Sequence, residues 1–333
     1  MQTILNKAVA FLMALFLTMI PTSGFALPGL QTKEDDCKLN VSMISDVHIE
    51  EKELLRRAFL ATALKNISNA KSTVDSVVIS GDLTNYADEP SLAKYYDIFR
   101  TYCSVAPSAV VSAPGNHDIG HAGDRDVTNI TKEQARQNCI DYYNAYSGNK
   151  FDKIYYSTTV KGYRFIVLGD EGDRWDAITM SDEQLSWLDA QLAEGTRNGL
   201  PVFVVSHWPM DHINGEDTIW DGSSIELEKY DVKSILEKYE NVFYISGHMH
   251  AGIKSHLVEK YCGLTNAERV NGVTYLNLPT FGIVNMFGLT GSGTGAQLEV
   301  YANKVIFRPH NYLTGKWYLN SEYTFSLSQN KPT

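Results

Sequence analysis

Residues 41–48, Val-Ser-Met-Ile-Ser-Asp-Val-His, join a short apolar run to two polar side chains that can bind a metal ion. A run of this length that closes in polar residues is typical of a buried β-strand. Because residues i and i+2 of an extended chain point to the same side, Asp46 and His48 are predicted to face a common point, with Val47 turned into the core. This stretch therefore predicts a strand with a candidate metal site at its carboxyl end.

The same pattern recurs along the chain, and predicted helices alternate with the predicted strands. Strands are predicted over residues 41–44, 76–79, 109–111, 165–168, 202–205 and 242–245. Helices are predicted over residues 51–68, 91–102, 131–146, 181–192 and 232–239, and Ser181 with Gln184 matches a capping box at the fourth helix. This alternation favours an α/β fold with helices flanking the sheet. Beyond about residue 262, alternating runs from 273 to 327 predict a second, more antiparallel sheet face.

Most of these strands end at a side chain that can bind a metal. After the first strand, the candidates are Asp82, Asn116, His207, His248 and His250. Sites in open α/β sheets collect beyond the carboxyl ends of the strands, so these side chains are predicted to gather into one metal site. Gly81, Gly115 and Gly247 are expected to let the backbone approach that site closely. Imidazole, carboxylate and amide ligands without a thiolate suit Mn, Fe, Zn or Co rather than Ca.

The order of these residues resembles a known family. Asp46-Val-His48, Gly81-Asp82, Gly115-Asn-His-Asp118, His207 and Gly247-His-Met-His250 are similar to the conserved blocks of the calcineurin-like metallophosphoesterases, in the same order. The resemblance implies an α/β fold, namely a four-layer α/β/β/α sandwich of two mixed β-sheets flanked by helices. It also implies a metal-dependent phosphoric ester hydrolase with two divalent metal ions.

The resemblance assigns a role to each candidate residue. It implies that one ion is bound by Asp46, His48 and His250, that the other is bound by Asn116, His207 and His248, and that Asp82 bridges them. The implied mechanism is attack of a metal-bridging hydroxide on the phosphate ester. His117 is expected to protonate the leaving oxygen or steady the transition state, and Asp118 is expected to orient the ring of His117.

The branch of the family is indicated by two positions. Purple acid phosphatases carry a tyrosine three residues after the bridging aspartate and lack the histidine of the first block, whereas this chain has Asn85 and His48. The chain looks more like the branch that contains class III cyclic nucleotide phosphodiesterases. We therefore expect a phosphodiesterase that acts on a small phosphorylated substrate. The alternatives are a phosphomonoesterase, such as an acid phosphatase or nucleotidase-like enzyme, and, less favoured because the ligand set is complete, a non-catalytic metal-stabilised binding protein.

Side chains beside the motifs are candidates for the substrate pocket. They are Asn85, His121, Trp208 and His212. Each of them can equally be a surface or core residue.

The amino terminus predicts export. Lys7 precedes an apolar run over residues 8–20 that ends at Pro21, so residues 1–26 are predicted to be a secretory signal peptide cleaved near Ala26. An uncleaved membrane anchor would need a longer apolar run. Residues 27–333 are predicted to form a single secreted catalytic domain, extracellular or periplasmic, with a core at about 38–312 and a β-rich carboxyl-terminal tail. No transmembrane segment is expected in that mature chain.

Composition limits the partners and the redox chemistry. The chain is 44% hydrophobic and 20% charged, as in ordinary globular proteins, and its formal charge of −10 argues against bulk binding of nucleic acid. An exported protein can hold disulfides, so Cys37, Cys103, Cys139 and Cys262 can form two bridges by any of three pairings; each cysteine is expected to be part of a structural disulfide or to be a buried thiol. None of the four cysteines lies in a Cys-x-x-Cys pair, which argues against a thiolate zinc site or a redox motif.

Overall fold

The computed structural model describes residues 29–119, 130–172, 177–220, 222–253, 264–282 and 292–328. The predicted signal peptide, His121 and Cys262 lie outside these residues. Across the described ranges, no helix has both the length and the hydropathy needed to cross a bilayer.

The strands form two mixed sheets. The seven-stranded first sheet has the order β12-β11-β10-β1-β2-β3, with β13 paired to β11, and the six-stranded second sheet has the order β4-β5-β6-β7-β9-β8. The strands of the first sheet are β1 (Leu39–Ile44), β2 (Ser76–Ser80), β3 (Val110–Ala113), β10 (Thr294–Val300), β11 (Lys304–Asn311), β12 (Lys316–Trp317) and β13 (Tyr323–Ser326). The strands of the second sheet are β4 (Tyr156–Val160), β5 (Tyr163–Val167), β6 (Val202–Val205), β7 (Val242–Ser246), β8 (Ala267–Val270) and β9 (Val273–Asn277).

The centre of each sheet is parallel. In the first sheet β1 pairs with β2 and β2 with β3, and in the second sheet β5, β6, β7 and β9 follow one another in parallel. All residues of β1, β2, β3, β6 and β7 are buried, as expected for parallel strands that are covered on both faces. The six strands predicted before residue 262 are therefore confirmed.

The carboxyl-terminal strands differ from the prediction of a separate sheet face. β8 and β9 extend the second sheet, whereas β10 pairs antiparallel with β1 and continues the first sheet through β11. Alternation along the sequence identifies such strands but cannot identify their partners, because pairing is a long-range property.

The helices occupy most of the predicted ranges. They are α1 (Leu54–Ser68), α2 (Glu89–Tyr102), α3 (Asn116–Ile119), α4 (Lys132–Ser147), α5 (Asp182–Gly195), α6 (Asp217–Trp220) and α7 (Val232–Leu236). The capping box lies at the start of α4, where Thr131 and Gln134 bond reciprocally. At α5, Ser181 accepts from the Gln184 backbone, but the Gln184 side chain bonds to Gly169, so only half of the predicted box is present.

Two apolar clusters define the layers. The larger cluster runs from α1 and α2 through the first sheet to the inner face of the second sheet, which presents Phe203 and Val205. The smaller cluster packs the outer face of the second sheet, including Val202 and Val204, against α5 and α7. Alternate residues of β6 thus point to opposite layers, and the predicted four-layer α/β/β/α sandwich is confirmed.

An ion-pair network built around the buried pair of Arg308 and Glu299 connects β10, β11 and the chain before β1. Arg308 on β11 bonds to the buried Glu299 on β10 and to Glu322, and Glu322 also accepts from Lys33 at 2.6 Å. Tyr301 donates its hydroxyl to the second oxygen of Glu299. This network ties the segment before β1 to the antiparallel side of the first sheet.

The expected disulfides are not formed by the described cysteines. Cys37, Cys103 and Cys139 are free thiols within the described residues. They are held in separate environments, because the Cys37 thiol donates to the Leu39 carbonyl, Cys103 caps α2, and Cys139 is buried against the Asp118 carbonyl. Two bridges among the four cysteines would need at least one among these three, and none is present, whereas the alternative of a buried thiol is confirmed for Cys139.

Candidate metal centre

The loops that follow the parallel strands of both sheets meet at one place. The loops after β1 and β2 run side by side, because the Asp46 nitrogen donates to the Gly81 carbonyl at 3.1 Å and the His48 nitrogen donates to the Asp82 carbonyl at 2.9 Å. In the second sheet the Gly247 nitrogen donates to the His207 carbonyl at 2.9 Å. The polar residues at the carboxyl edges of the two sheets therefore lie in a common cleft, as was predicted from their positions after the strands.

A first group of ligand-type atoms comes from Asp46, His48, Asp82 and His250. His250 Nε2 lies 3.1 Å from Asp46 Oδ1 and 3.3 Å from His48 Nε2. His48 Nε2 lies 3.5 Å from Asp82 Oδ2. One ligand atom from each residue lies within 4.8 Å of all the others, so the group can surround one cation.

A second group comes from Asn116, His207, His248 and again Asp82. Asn116 Oδ1 lies 3.0 Å from His207 Nε2 and 3.1 Å from His248 Nδ1. The two imidazole nitrogens are 3.1 Å apart, and His207 Nε2 lies 3.3 Å from Asp82 Oδ1. Ligands about 2.0–2.2 Å from one tetrahedral cation are separated by spacings of this size.

Asp82 belongs to both groups, with one oxygen in each. Its Oδ1 faces His207 and its Oδ2 faces His48. Asp82 Oδ2 and Asp46 Oδ2 have no hydrogen-bond partner among the described residues, and Asp46 Oδ1 faces the His250 ring nitrogen at 3.1 Å. Buried carboxylate oxygens without donors are costly, and a cation would satisfy them. The donor set therefore fits a pair of divalent cations that share Asp82.

The backbone at this site is strained. Asp46, His48, Asp82, His248 and His250 all have positive φ, between 46° and 66°. Such conformations are uncommon outside glycine and gather at functional sites. The predicted extended geometry of the Asp-x-His and His-x-His pairs is therefore wrong, although each pair does face the site and the intervening Val47 and Met249 are buried as predicted.

Two glycines make the close approach possible. An ideal Cβ at Gly115 would lie 2.1 Å from Asp82 Oδ1, and one at Gly81, where φ is 97°, would lie 2.3 Å from His207 Nδ1. Any side chain at these positions would displace a candidate ligand. The predicted role of these glycines is confirmed.

Burial and charge act in opposite directions on the site's pKa values. Burial lowers the pKa of both His48 and His248 to about 3, which keeps their rings neutral and able to bind a cation. Burial also opposes charge on His207, but the nearby Asp82 carboxylate raises the pKa of that ring to about 9. Burial would raise the pKa of Asp82, yet the charge on His207 holds it well below the usual range. The site thus concentrates negative charge that attracts protons or cations.

The ring nitrogens that turn away from the site also have polar partners. His207 Nδ1 lies 2.8 Å from the Ser80 carbonyl, and His248 Nε2 lies 2.8 Å from Ser223 Oγ. His48 Nδ1 lies 2.9 Å from Asn85 Oδ1. Outer hydrogen bonds of this kind fix the orientation of metal-binding histidines.

His117 and Asp118 lie next to the two groups, but their contacts differ from the expectation. The His117 ring meets the His48 ring edge-on at 4.6 Å, and its Nδ1 lies 3.3 Å from the Asn85 carbonyl. The buried Asp118 accepts from the backbone nitrogens of Leu83, Thr84 and Gly115 and from the Thr84 hydroxyl. Asp118 therefore holds the loops after β2 and β3 together, and the Asn85 carbonyl is one of the groups that the His117 ring contacts.

The candidate pocket residues separate into different environments. Asn85 is half-buried and contacts His48, whereas Trp208 is fully buried and packs edge-on against His207. His212 is 64% exposed and pairs with Asp217, and in the described chain it has no contact with the two ligand groups. Only Asn85 of these three therefore remains a candidate for the substrate side of the site.

Sequence reasoning did not identify Glu50, Ser223 or Thr84. Glu50 and Thr84 lie near a motif but carry no motif of their own, whereas Ser223 lies far from every motif along the chain. Glu50 is two residues after His48 and Thr84 is two residues after Asp82, so proximity to the first two blocks was the available signal. For Ser223 the sequence offers no signal.

Comparisons with known proteins identify the family. The sequence profile of the calcineurin-like phosphoesterases matches residues 39–252, which include every candidate ligand. A dimetal phosphatase from Danio rerio superposes with a TM-score of 0.59 at 17% identity, covering 88% of this chain and 100% of the other. A purple acid phosphatase from yellow lupin (Lupinus luteus) seeds superposes with a TM-score of 0.57 at 14% identity, covering 86% of this chain and 53% of the other, so this chain spans about half of the lupin protein.

These two likenesses show the shared fold, while the profile match extends through all the motif blocks. The chain belongs to the calcineurin-like phosphoesterase family and is a metal-dependent phosphoester hydrolase with a candidate dinuclear metal site.

Proposed function

We propose that the protein is a secreted phosphodiesterase that uses two divalent cations. In this proposal Asp46, His48 and His250 bind one cation, and Asn116, His207 and His248 bind the other. The observation that carries the proposal is the position of Asp82, whose two oxygens face the two ligand groups separately. A carboxylate in this position would contribute one oxygen to each of two cations.

The cations, when bound, supply Lewis-acid activation of the attacking water and of the phosphoryl oxygens. The chain's own residues orient and exchange protons around that centre. His117 is the proposed group that protonates the leaving oxygen, since its ring stands beside His48 and its Nδ1 faces the Asn85 carbonyl. If Nδ1–H donates to that carbonyl, Nε2 is the nitrogen that exchanges a proton with the substrate.

Charge favours a diester over a monoester. A phosphomonoester carries up to two negative charges near neutral pH, because its second pKa is about 6, whereas a diester carries one. The guanidinium of Arg56 lies near the site, but it donates to the His48 carbonyl at 2.9 Å. Its role is therefore structural, and it is not assigned to the substrate phosphate. In a chain with a formal charge of −10, a monoanionic substrate requires less cationic support beyond the metals.

The test is hydrolysis of bis-p-nitrophenyl phosphate beside p-nitrophenyl phosphate by the mature protein, with Mn, Zn, Fe, Co or no added metal. Faster cleavage of the diester supports the proposal. Faster cleavage of the monoester would move the assignment to a phosphomonoesterase, the alternative favoured by the name of the Danio rerio phosphatase. Cleavage of neither ester with any metal would contradict both.

The bridging role of Asp82 has a separate test. We expect Asp82→Ala to lose metal from both positions, because it removes one oxygen from each ligand group, whereas Asn116→Ala should lose metal from the second position alone. Metal content of the purified variants distinguishes the two patterns. Full metal content in Asp82→Ala would contradict the assigned role.

Export is proposed from the sequence. The support is the charged and apolar pattern of residues 7–21. Amino-terminal sequencing of the protein recovered from outside the producing cells should begin near residue 27. Recovery of the chain inside the cells with Met1 retained would contradict export.

A further inference from the structure

The outer nitrogen of His48 begins a chain of polar contacts that leaves the metal site. His48 Nδ1 lies 2.9 Å from Asn85 Oδ1, and Asn85 Nδ2 donates to Glu50 Oε1. The backbone places these residues together, because Ile49 pairs with Thr84 and the Asn85 nitrogen donates to the Ile49 carbonyl at 3.3 Å. Glu50 and Asn85 are thus adjacent on two loops that are hydrogen-bonded side by side.

The donor and acceptor groups in this series of contacts allow one arrangement of the Asn85 amide and the His48 ring proton. An ionised carboxylate only accepts hydrogen bonds, so the Asn85 atom that faces Glu50 must be the amide NH2. The amide oxygen of Asn85 then faces His48, and because that oxygen only accepts, Nδ1 of His48 must carry the proton. In a neutral imidazole the other nitrogen, Nε2, is left with its lone pair. Nε2 is the atom that faces Asp82 and His250.

Arg56 connects the two ends of this series of contacts, Glu50 and His48. Its Nη1 lies 3.9 Å from Glu50 Oε1 and donates to the His48 carbonyl at 2.9 Å. The guanidinium therefore holds the backbone of His48, which has a φ of 51°, while the Glu50 and Asn85 side chains hold its imidazole. Backbone and ring of one residue are fixed by a single connected set of contacts.

We propose that Glu50 and Asn85 are positioning residues that set the tautomer of His48 and thereby the affinity of the first ligand group for its cation. The inference rests on the proposed assignment of His48 as a metal ligand. Glu50 acts at a distance, because it reaches the His48 ring through the orientation of the Asn85 amide and the His48 backbone through Arg56.

The experiment compares single variants with a double variant that reverses the polarity of the chain. In Asn85→Asp, two carboxylates face each other, and their repulsion is expected to turn the new side chain away from His48, so that the Nδ1 proton loses its acceptor. In Glu50→Gln, residue 50 can donate as well as accept, so the Asn85 amide is free to turn and both tautomers of His48 become accessible. In the double variant Glu50→Gln/Asn85→Asp, the new amide can donate to the new carboxylate, which again only accepts from His48. The double variant also keeps the net charge of the wild type.

Two measurements are made on each protein. The tautomer of His48 is read from the ¹⁵N shifts of the metal-free protein, and Zn²⁺ or Mn²⁺ affinity is measured by calorimetry with the metal alone. We expect each single variant to weaken binding at the first position by about 10- to 100-fold, with the second position unchanged. The double variant should recover most of this loss together with the Nδ1–H tautomer. Glu51→Gln, the same change at the neighbouring exposed residue, should match the wild type.

Two results would overturn the proposal. One is binding within about twofold of the wild type in both single variants with the Nδ1–H tautomer retained. The other is a double variant as weak as the singles despite an unchanged unfolding temperature. Neither readout needs turnover, so a protein that binds metal but cleaves no ester would contradict the proposed function and leave this inference standing.

Discussion

A single methyl group added at Gly115 should disable the metal centre, although Gly115 is not itself a candidate ligand. The added Cβ of Gly115→Ala would lie 2.1 Å from Asp82 Oδ1 and 2.4 Å from the Asp82 backbone nitrogen, whereas ordinary contact begins at 3.4 Å. The Asp82 carboxylate must therefore move by roughly 1 Å, and displacements of that size can cost about 100-fold in rate. Overpacking of this kind also costs about 1–3 kcal/mol of stability.

The assay is kcat/KM for bis-p-nitrophenyl phosphate together with metal content after desalting and the unfolding temperature. We expect kcat/KM to fall by about 100-fold and both metal positions to lose occupancy, because Asp82 contributes to both groups. Gly148→Ala is the control: its φ is 77° and no atom lies within 4 Å of the added Cβ. It should cost about 1 kcal/mol of stability and leave metal content and rate unchanged. Metal content and kcat/KM within twofold of the wild type in Gly115→Ala would refute the reasoning.

The remaining expectations concern the proton donor, the metals and the ion-pair network. His117→Ala should retain both metals and lose about 10²- to 10⁴-fold in kcat for substrates with poor leaving groups, as rates beside metal analysis will check; unchanged turnover would remove His117 from the mechanism. Exhaustive chelation should abolish activity and lower the unfolding temperature, because each cation at a free concentration 100-fold above its Kd contributes about 2.7 kcal/mol to stability. Activity that survives chelation would exclude the metal mechanism. Glu322→Gln should destabilise the protein at pH 7 by about 1 kcal/mol or less, since its partner Lys33 is exposed. Burial would raise the pKa of Glu322, but hydrogen bonds from Lys33 and Arg308 lower it. The contribution of the Glu322 carboxylate to stability is therefore present above its pKa in the unfolded chain and is lost as the pH falls through its pKa in the folded protein. The urea midpoints of the variant and the wild type should accordingly converge below about pH 4.

The strands and the candidate ligands could be predicted from the sequence because they rest on short-range patterns, whereas the four layers were implied by the resemblance to a known family. Apolar runs of four or five residues mark buried parallel strands, and the polar residue that follows each run marks the edge where sites form. The fold then brings Asp46, Asp82 and His207 together from positions far apart in the chain.

The details that escaped prediction depend on three-dimensional partners. The positive φ of His48 and His250 occurs in the loops that follow β1 and β7, and an extended i, i+2 pattern does not predict it. The carboxylate of Asp118 was assigned to its neighbour His117, yet it bonds to backbone nitrogens 34–35 residues away in the chain. Hydrogen-bond partners at that separation, like the pairing of β10 with β1, are set by packing and leave no local trace in the sequence.

The ligands are divided between the two sheets, so metal binding also affects how the sheets are held together. Asp46, His48, Asp82 and Asn116 follow strands of the first sheet, whereas His207, His248 and His250 follow strands of the second. Each bound cation would therefore act as a cross-link between two separately hydrogen-bonded halves of the molecule. A partly folded chain with only one sheet formed would offer an incomplete set of ligands. Tight metal binding during refolding should then report the moment at which the two sheets dock.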